Sequence, residues 1–116
     1  MKRGIIVLTP FPFSDLTTVK RRPALVVSKY NKHKQDIIVA FISSKIPNEI
    51  DETDLILDGK EKGFKLTGLH KSSLVKLDKL VTIEKDLVVG ELGYVSNNIL
   101  IEINKRLKLA LIYRTK

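Results

Sequence analysis

Only one stretch of this chain carries a sustained helical period, and it lies at the C-terminal end. Ile99, Leu100, Ile103, Leu107, Ala110 and Leu111 recur at three- and four-residue steps behind Ser96, a residue suited to cap a helix. Everything before Ser96 reads as short apolar or alternating runs cut by proline, glycine and polar turns. A parallel sheet needs crossover helices between its strands, and no internal segment is long enough to supply one. The expected fold is therefore mainly β. Several short strands should form a small, strongly bent sheet or partly open barrel, covered by a C-terminal helix.

The pattern places the strands. Residues 4–8 form a β run that Pro10 and Pro12 stop, and residues 11–20 follow as a loop. Residues 22–28 form a second strand, with Pro23 near its start, where a sheet tolerates proline only at an edge or a first position. A polar turn at 30–35 leads to residues 36–44, apolar on both faces and so expected at the centre. Residues 53–57 make a further strand, Asp58-Gly59 a tight turn, and residues 64–66 its short partner. From 73 to 83, Val75, Leu77, Val81 and Ile83 share one parity, and Leu74, Lys76, Asp78, Leu80 and Thr82 the other. Lys79 falls on the apolar parity. Either the strand ends or bulges there, or Lys79 leaves the core by its long stem. A last short strand lies within 88–94.

Composition narrows the chemistry. A chain of 116 residues is read as one domain over 1–116. It has no cysteine, and its two histidines, His33 and His70, stand in unlike contexts, so neither a metal nor another cofactor is expected. No phosphate-binding or dinucleotide glycine pattern occurs, and no Gly-x-Ser-x-Gly. The longest apolar run covers residues 37–42, far short of a membrane span, and the N-terminal stretch has no leader cleavage site. The expectation is a cytoplasmic protein with no membrane partner.

Charge is unevenly spread over the formal total of +8. Residues 1–34 hold eight Lys/Arg against one acid, 35–64 three against seven, and 65–116 ten against five. Two basic segments around an acidic one suit a surface that attracts nucleic acid, or simply a solvated basic face. Arg, Lys, Asp and Ser without a metal suit one reaction well. RNA carries its own nucleophile, the 2′-hydroxyl, so a protein need only shape the backbone, take a proton and stabilise phosphorane charge.

The opening GIIVLTPFPFSDLTTVKRRPALVVS strongly resembles the start of the MazF/PemK family of bacterial toxins. The likeness continues through the strand ending Val39-Ala40-Phe41-Ile42-Ser43-Ser44-Lys45 and the turn Gly68-Leu69-His70-Lys71-Ser72-Ser73. Thr82-Ile83-Glu84-Lys85 and Gly93-Tyr94-Val95-Ser96, followed by the helix, complete it. The resemblance implies an SH3-like barrel forming a homodimer, and a toxin of a type II toxin–antitoxin module. It implies a sequence-selective, metal-independent endoribonuclease that cuts single-stranded RNA and leaves a cyclic phosphate. The implied partners are single-stranded RNA, a small acidic antitoxin and, through the antitoxin complex, operator DNA. Carried over by position, the catalytic residues are Arg22, Ser43, Lys76 and Asp78. The flanking RNA contacts are Phe13, Asp15, Lys20, Arg21, Ser44, Lys45 and Lys79. Ser43 stands where the family usually has threonine, and Lys76 where plasmid-borne members have arginine. Lys79 and Val81 replace residues that are commonly glutamine and arginine. The alternative reading is a barrel that binds nucleic acid or an acidic partner without efficient cleavage.

Overall fold

Six strands, all paired antiparallel, and one helix build the computed structural model of the chain, which describes residues 1–10 and 20–112. The strands are β1 (Ile5–Pro10), β2 (Arg21–Val26), β3 (Asp36–Ser43), β4 (Asp54–Leu57), β5 (Ser73–Glu84) and β6 (Gly90–Tyr94), and the helix α1 is Asn97–Leu111. They form a single curled sheet in the order β4-β5-β3-β2-β1-β6. The expected mainly-β architecture with a C-terminal helix is the one observed.

Both faces of this sheet are packed, which is why its central strands are apolar at nearly every position. Ile6, Leu25, Ala40, Ile42, Val75 and Leu77 point to the side that α1 covers with Ile103. Their immediate neighbours Val7, Ala24, Val26 and Val39 point the other way and form a second apolar cluster with Ile37 and Ile83. The alternation follows from the pleat. Ser96 caps α1 by accepting a hydrogen bond from the Ile99 backbone N–H at 3.3 Å, as its place in the sequence indicated.

Pro23 sits on an interior strand, a place that its missing N–H should forbid. The ladder resolves this. Pro23 is opposite Leu8 on β1, but pairing of β2 with β3 begins only at Ala24, so no neighbour on that side requires an amide from Pro23. Pro10 is similarly excused, being the last residue of β1 and beyond the stretch paired with β6.

The expected strand at 64–66 is not formed. Phe64–Thr67 is a single 3-10 turn, closed by the Thr67 hydroxyl donating to the Phe64 carbonyl at 2.6 Å. The place beside β4 expected for this segment is taken by β5. This turn crosses β6 so closely that a Cβ on Gly93 would lie 2.1 Å from the Leu66 carbonyl oxygen, and one on Gly68 2.1 Å from that of Leu92. Gly68 also has φ of +74°, open to glycine at little cost. The turn thereby covers the β6 edge. At the opposite edge, Arg106 of α1 donates from Nη1 to the carbonyls of Glu52 and Asp54, both at 2.9 Å, and ties the helix to β4.

Candidate functional site

The ladders on both sides of β3 are interrupted toward its C-terminal end, and the gap there is a cleft. On one flank, β2 pairs with β3 only through Ala24–Phe41, Leu25–Ala40 and Val26–Val39. Beyond Ala24 the strands part, leaving Arg22 on one wall and Ser43 on the other. On the other flank, β5 bulges. Ala40 pairs with Leu80 but Ile42 with Val75, so the segment from Lys76 to Lys79 stands opposite Phe41 alone. Of the three expectations for Lys79, the bulge is the one realised, and its side chain is exposed.

The cleft measures about 840 Å³. Its polar walls carry Arg22, Ser43, Lys45, Lys76, Asp78 and Lys79, and its apolar floor is made by Phe41, Leu74, Leu80, Val81 and Pro47. Four cations therefore face a single carboxylate and a hydroxyl over a surface that suits an unsubstituted ring face. Ser43 Oγ accepts a hydrogen bond from the Lys45 backbone N–H at 3.1 Å, which turns the chain out of β3 and leaves the hydroxyl proton for a ligand.

Lys76 is held by two carboxylates of the β4 segment. Its ammonium donates to Asp54 Oδ1 at 3.1 Å, with Asp51 Oδ2 further off at 3.9 Å. The Asp54 side chain is only 2% exposed, and its other oxygen accepts the Asp51 backbone N–H at 2.9 Å. The hydrogen bond to Asp54 raises the Lys76 pKa above its ordinary value. Partial burial opposes that shift, and the negative charges of Asp54, Asp78 and Asp51 reinforce it. Lys76 is accordingly a fixed cation in the neutral pH range. Sequence reasoning missed Asp54 because it reads as one of several acids in a polar stretch. Only its register, directly opposite Lys76 in the β4–β5 ladder, shows what it does.

The other expected contacts are distributed differently. Lys20 and Arg21 are exposed at the start of β2, with Arg21 opposite Pro10, and neither lines the cleft. Ser44 is exposed just past β3 and also does not line it. Phe13 and Asp15 lie outside the described residues. Among the described residues, no group of three His, Asp or Glu side chains is arranged to hold a metal ion, and no helix is long and apolar enough to cross a membrane.

A family model described as PemK-like, MazF-like toxin of type II toxin–antitoxin system matches residues 2–111. The fold is shared with an endoribonuclease solved in complex with its cognate antitoxin from a mycobacterial species, at 20% identity and a TM-score of 0.77, covering 100% of this chain and 99% of that one. It is also shared with the Mycobacterium tuberculosis toxin MazF-mt6, at 19% identity and a TM-score of 0.74, covering 97% and 100%. The MazE–MazF complex (form II) from Deinococcus radiodurans aligns at 21% identity with a TM-score of 0.73, covering 96% and 95%. No curated protein sequence matches the chain.

Proposed function

The chain belongs to the PemK-like, MazF-like toxins of type II toxin–antitoxin systems, and from that membership we propose that it is a sequence-selective, metal-independent endoribonuclease acting on single-stranded RNA. The observation that carries the reading is the cleft itself. Residues 54 positions apart in the chain, from Arg22 to Lys76, share one wall-and-floor arrangement with Ser43 and Asp78. Solved relatives described as endoribonucleases support it.

In this reading Asp78 removes the proton of the 2′-hydroxyl, and the 2′-oxygen attacks the adjacent phosphorus. A P–O2′ bond forms, and charge grows on the non-bridging oxygens. Arg22 meets that charge with its fork of donors, Ser43 with a neutral hydrogen bond and Lys76 with its ammonium. The P–O5′ bond then breaks, leaving a 2′,3′-cyclic phosphate, and the departing oxygen takes its proton from water. Asp54 limits Lys76 to an electrostatic part, because a lysine so held is a poor proton donor.

The same reading includes a homodimer, a small acidic antitoxin that competes for the cleft, and operator DNA met through the antitoxin complex, all in the cytoplasm. Exposed Leu87, Val89, Leu92 and Tyr94, all within the eight residues 87–94 that lead into and form the edge strand β6, support burial against a second protein surface. Sedimentation equilibrium at micromolar concentration tests the dimer, with twice the 13.1 kDa chain mass expected. A single 13.1 kDa species throughout the range counts against it.

Activity is tested by cleavage of a diverse single-stranded RNA pool in EDTA, with a substrate carrying 2′-deoxy at the cut position as control. Undiminished cleavage of the deoxy substrate rejects the mechanism. Binding without cleavage replaces it with the binding-module reading.

A further inference from the structure

The cleft is not the only concavity among the described residues. A second hollow, about 960 Å³, lies at the other end of β3, under the loop that joins β2 to β3. Lys29, Lys32 and Lys34 line it together with Tyr30, Asp36 and Ile38.

We propose that this β2–β3 loop is a second docking site for single-stranded RNA, one that takes the strand's flank rather than its scissile phosphate. The inference rests on the RNA reading above and adds a separate place on the surface to it.

Three observations carry it. The first is that the loop is held by hydrogen bonds that use neither the Lys29, Lys32 and Lys34 ammonium groups nor the Tyr30 ring. Ser28 Oγ accepts the Ile38 backbone N–H at 3.0 Å, and Asn31 Oδ1 accepts that of His33 at 2.9 Å. The Asn31 carbonyl accepts both the Lys34 N–H at 3.2 Å and Lys85 Nζ at 3.0 Å. The loop is thus shaped in advance, which lowers the ordering cost of binding.

The second is unneutralised charge. Among the described residues none of Lys29, Lys32 and Lys34 forms an ion pair with a carboxylate. Three lysines converging on a concave surface attract a polyanion, and each phosphate engaged releases counterions.

The third is an aromatic face among them. Tyr30 is 51% exposed and Ile38 38% exposed, so a base can stack where its phosphates meet lysine. Asp36, opposite Glu84 in the β3–β5 ladder, keeps phosphate away from that side and offers acceptors to an exocyclic amine. Stacking space beside separate point charges favours a nucleic acid strand over an acidic peptide.

Ile38 at this hollow and Ser43 at the cleft are five positions apart on β3, a rise of roughly 17 Å. Their opposite parity sets them on opposite faces of the sheet, so a strand that meets both must also turn around it. At the ~3.4 Å spacing of stacked nucleotides the rise alone takes about five nucleotides, and the turn around the sheet takes more. Short strands fill one site, and longer strands reach both.

The test uses the full chain and fully 2′-deoxy oligonucleotides, which present the same bases and phosphates without the internal nucleophile. Lengths of about four and about twelve nucleotides bracket the span. Wild type should bind the longer one more tightly and with a steeper salt dependence. Tyr30→Ala and the double variant K32A/K34A should each weaken the longer oligonucleotide by ~10-fold and leave the shorter one within about twofold. Circular dichroism checks that both variants fold, and Tyr30→Phe, which keeps the ring, should restore binding.

Equal affinity of wild type for both lengths overturns this site while leaving the cleft reading intact. So does loss of both lengths to the same degree in a folded loop variant. Failure of wild type to bind either length overturns the RNA reading, and this site with it. Loop variants that lose an acidic peptide of about twelve residues but keep the long oligonucleotide overturn the proposal in favour of a protein partner.

Discussion

Lys76 on β5 and Asp54 on β4 stand directly opposite each other, with ammonium and carboxylate 3.1 Å apart. The pair joins the cleft to the rest of the molecule. Arg106 of α1 holds the Asp54 carbonyl, and Asp54 holds a cation of the cleft wall.

The two partners are not equivalent, and removing them should not cost the same. Asp54 is buried, so Lys76→Met strands a carboxylate away from water, whereas Asp54→Asn leaves a cation whose side chain is still 33% exposed. A fully buried pair broken on one side costs about 3–5 kcal/mol. With the lysine partly in solvent, we expect roughly 2–3 kcal/mol for Lys76→Met and about 1–2 for Asp54→Asn. Urea denaturation monitored by circular dichroism ranks them. A larger loss for Asp54→Asn would contradict the asymmetry.

The pair also sets a pH dependence. The folded pKa of Lys76 lies above its ordinary value of 10.5, because the ammonium gains Asp54 on folding. Its contribution to stability is therefore complete below pH 10.5 and disappears as pH rises through the folded value. Denaturation midpoints of wild type and Lys76→Met should differ by a constant amount from pH 7 to about 10 and converge above that. Convergence already near neutrality would mean that Lys76 is not the group responsible.

At the cleft, Arg22→Ala should slow single-turnover RNA cleavage by ~100-fold or more, about 3 kcal/mol of transition-state stabilisation. Arg22→Lys should recover part of it, since a point charge replaces a two-pronged donor. Asp78→Asn should keep fold and RNA affinity but turn over slowly, and Ser43→Ala should be milder than either. An Asp78→Asn enzyme as fast as wild type removes Asp78 from the role of base.

The crossing of the 3-10 turn over β6 predicts a contrast among glycines. Gly93→Ala drives a methyl group to 2.1 Å from the Leu66 carbonyl, and Gly68→Ala adds strain at φ of +74°. Each should destabilise by ~2 kcal/mol or more. Gly90→Ala meets nothing within 4 Å and should change stability by no more than about 0.5 kcal/mol. Thermal unfolding of the three variants decides the matter, and a tolerated Gly93→Ala would show that the turn can lift away.

Local chemistry made much of this protein legible in its residues. The helix and its Ser96 cap and the central place of β3 depend on neighbours two to four positions apart, where side-chain period and backbone preference act directly. The single face read for Val75, Leu77, Val81 and Ile83 is not realised, because the bulge in β5 switches the parity: Val75 and Leu77 face the side of α1, and Val81 and Ile83 the other. The family likeness named Arg22, Ser43, Lys45, Lys76, Asp78 and Lys79, and the fold brings these six to one cleft. What the residues could not disclose depends on register between distant segments. Asp54 meets Lys76 across 22 positions, and nothing around Asp54 distinguishes it from Asp51 or Glu52 until β4 is laid against β5. Phe64–Thr67 is expected to extend beside β4, yet it forms a 3-10 turn, because the distant strand β5 takes that place. Lys29, Lys32 and Lys34 are plain turn lysines in the chain. The hollow they share exists only once β2, β3 and β5 have paired, because packing rather than local preference decides which surfaces become concave.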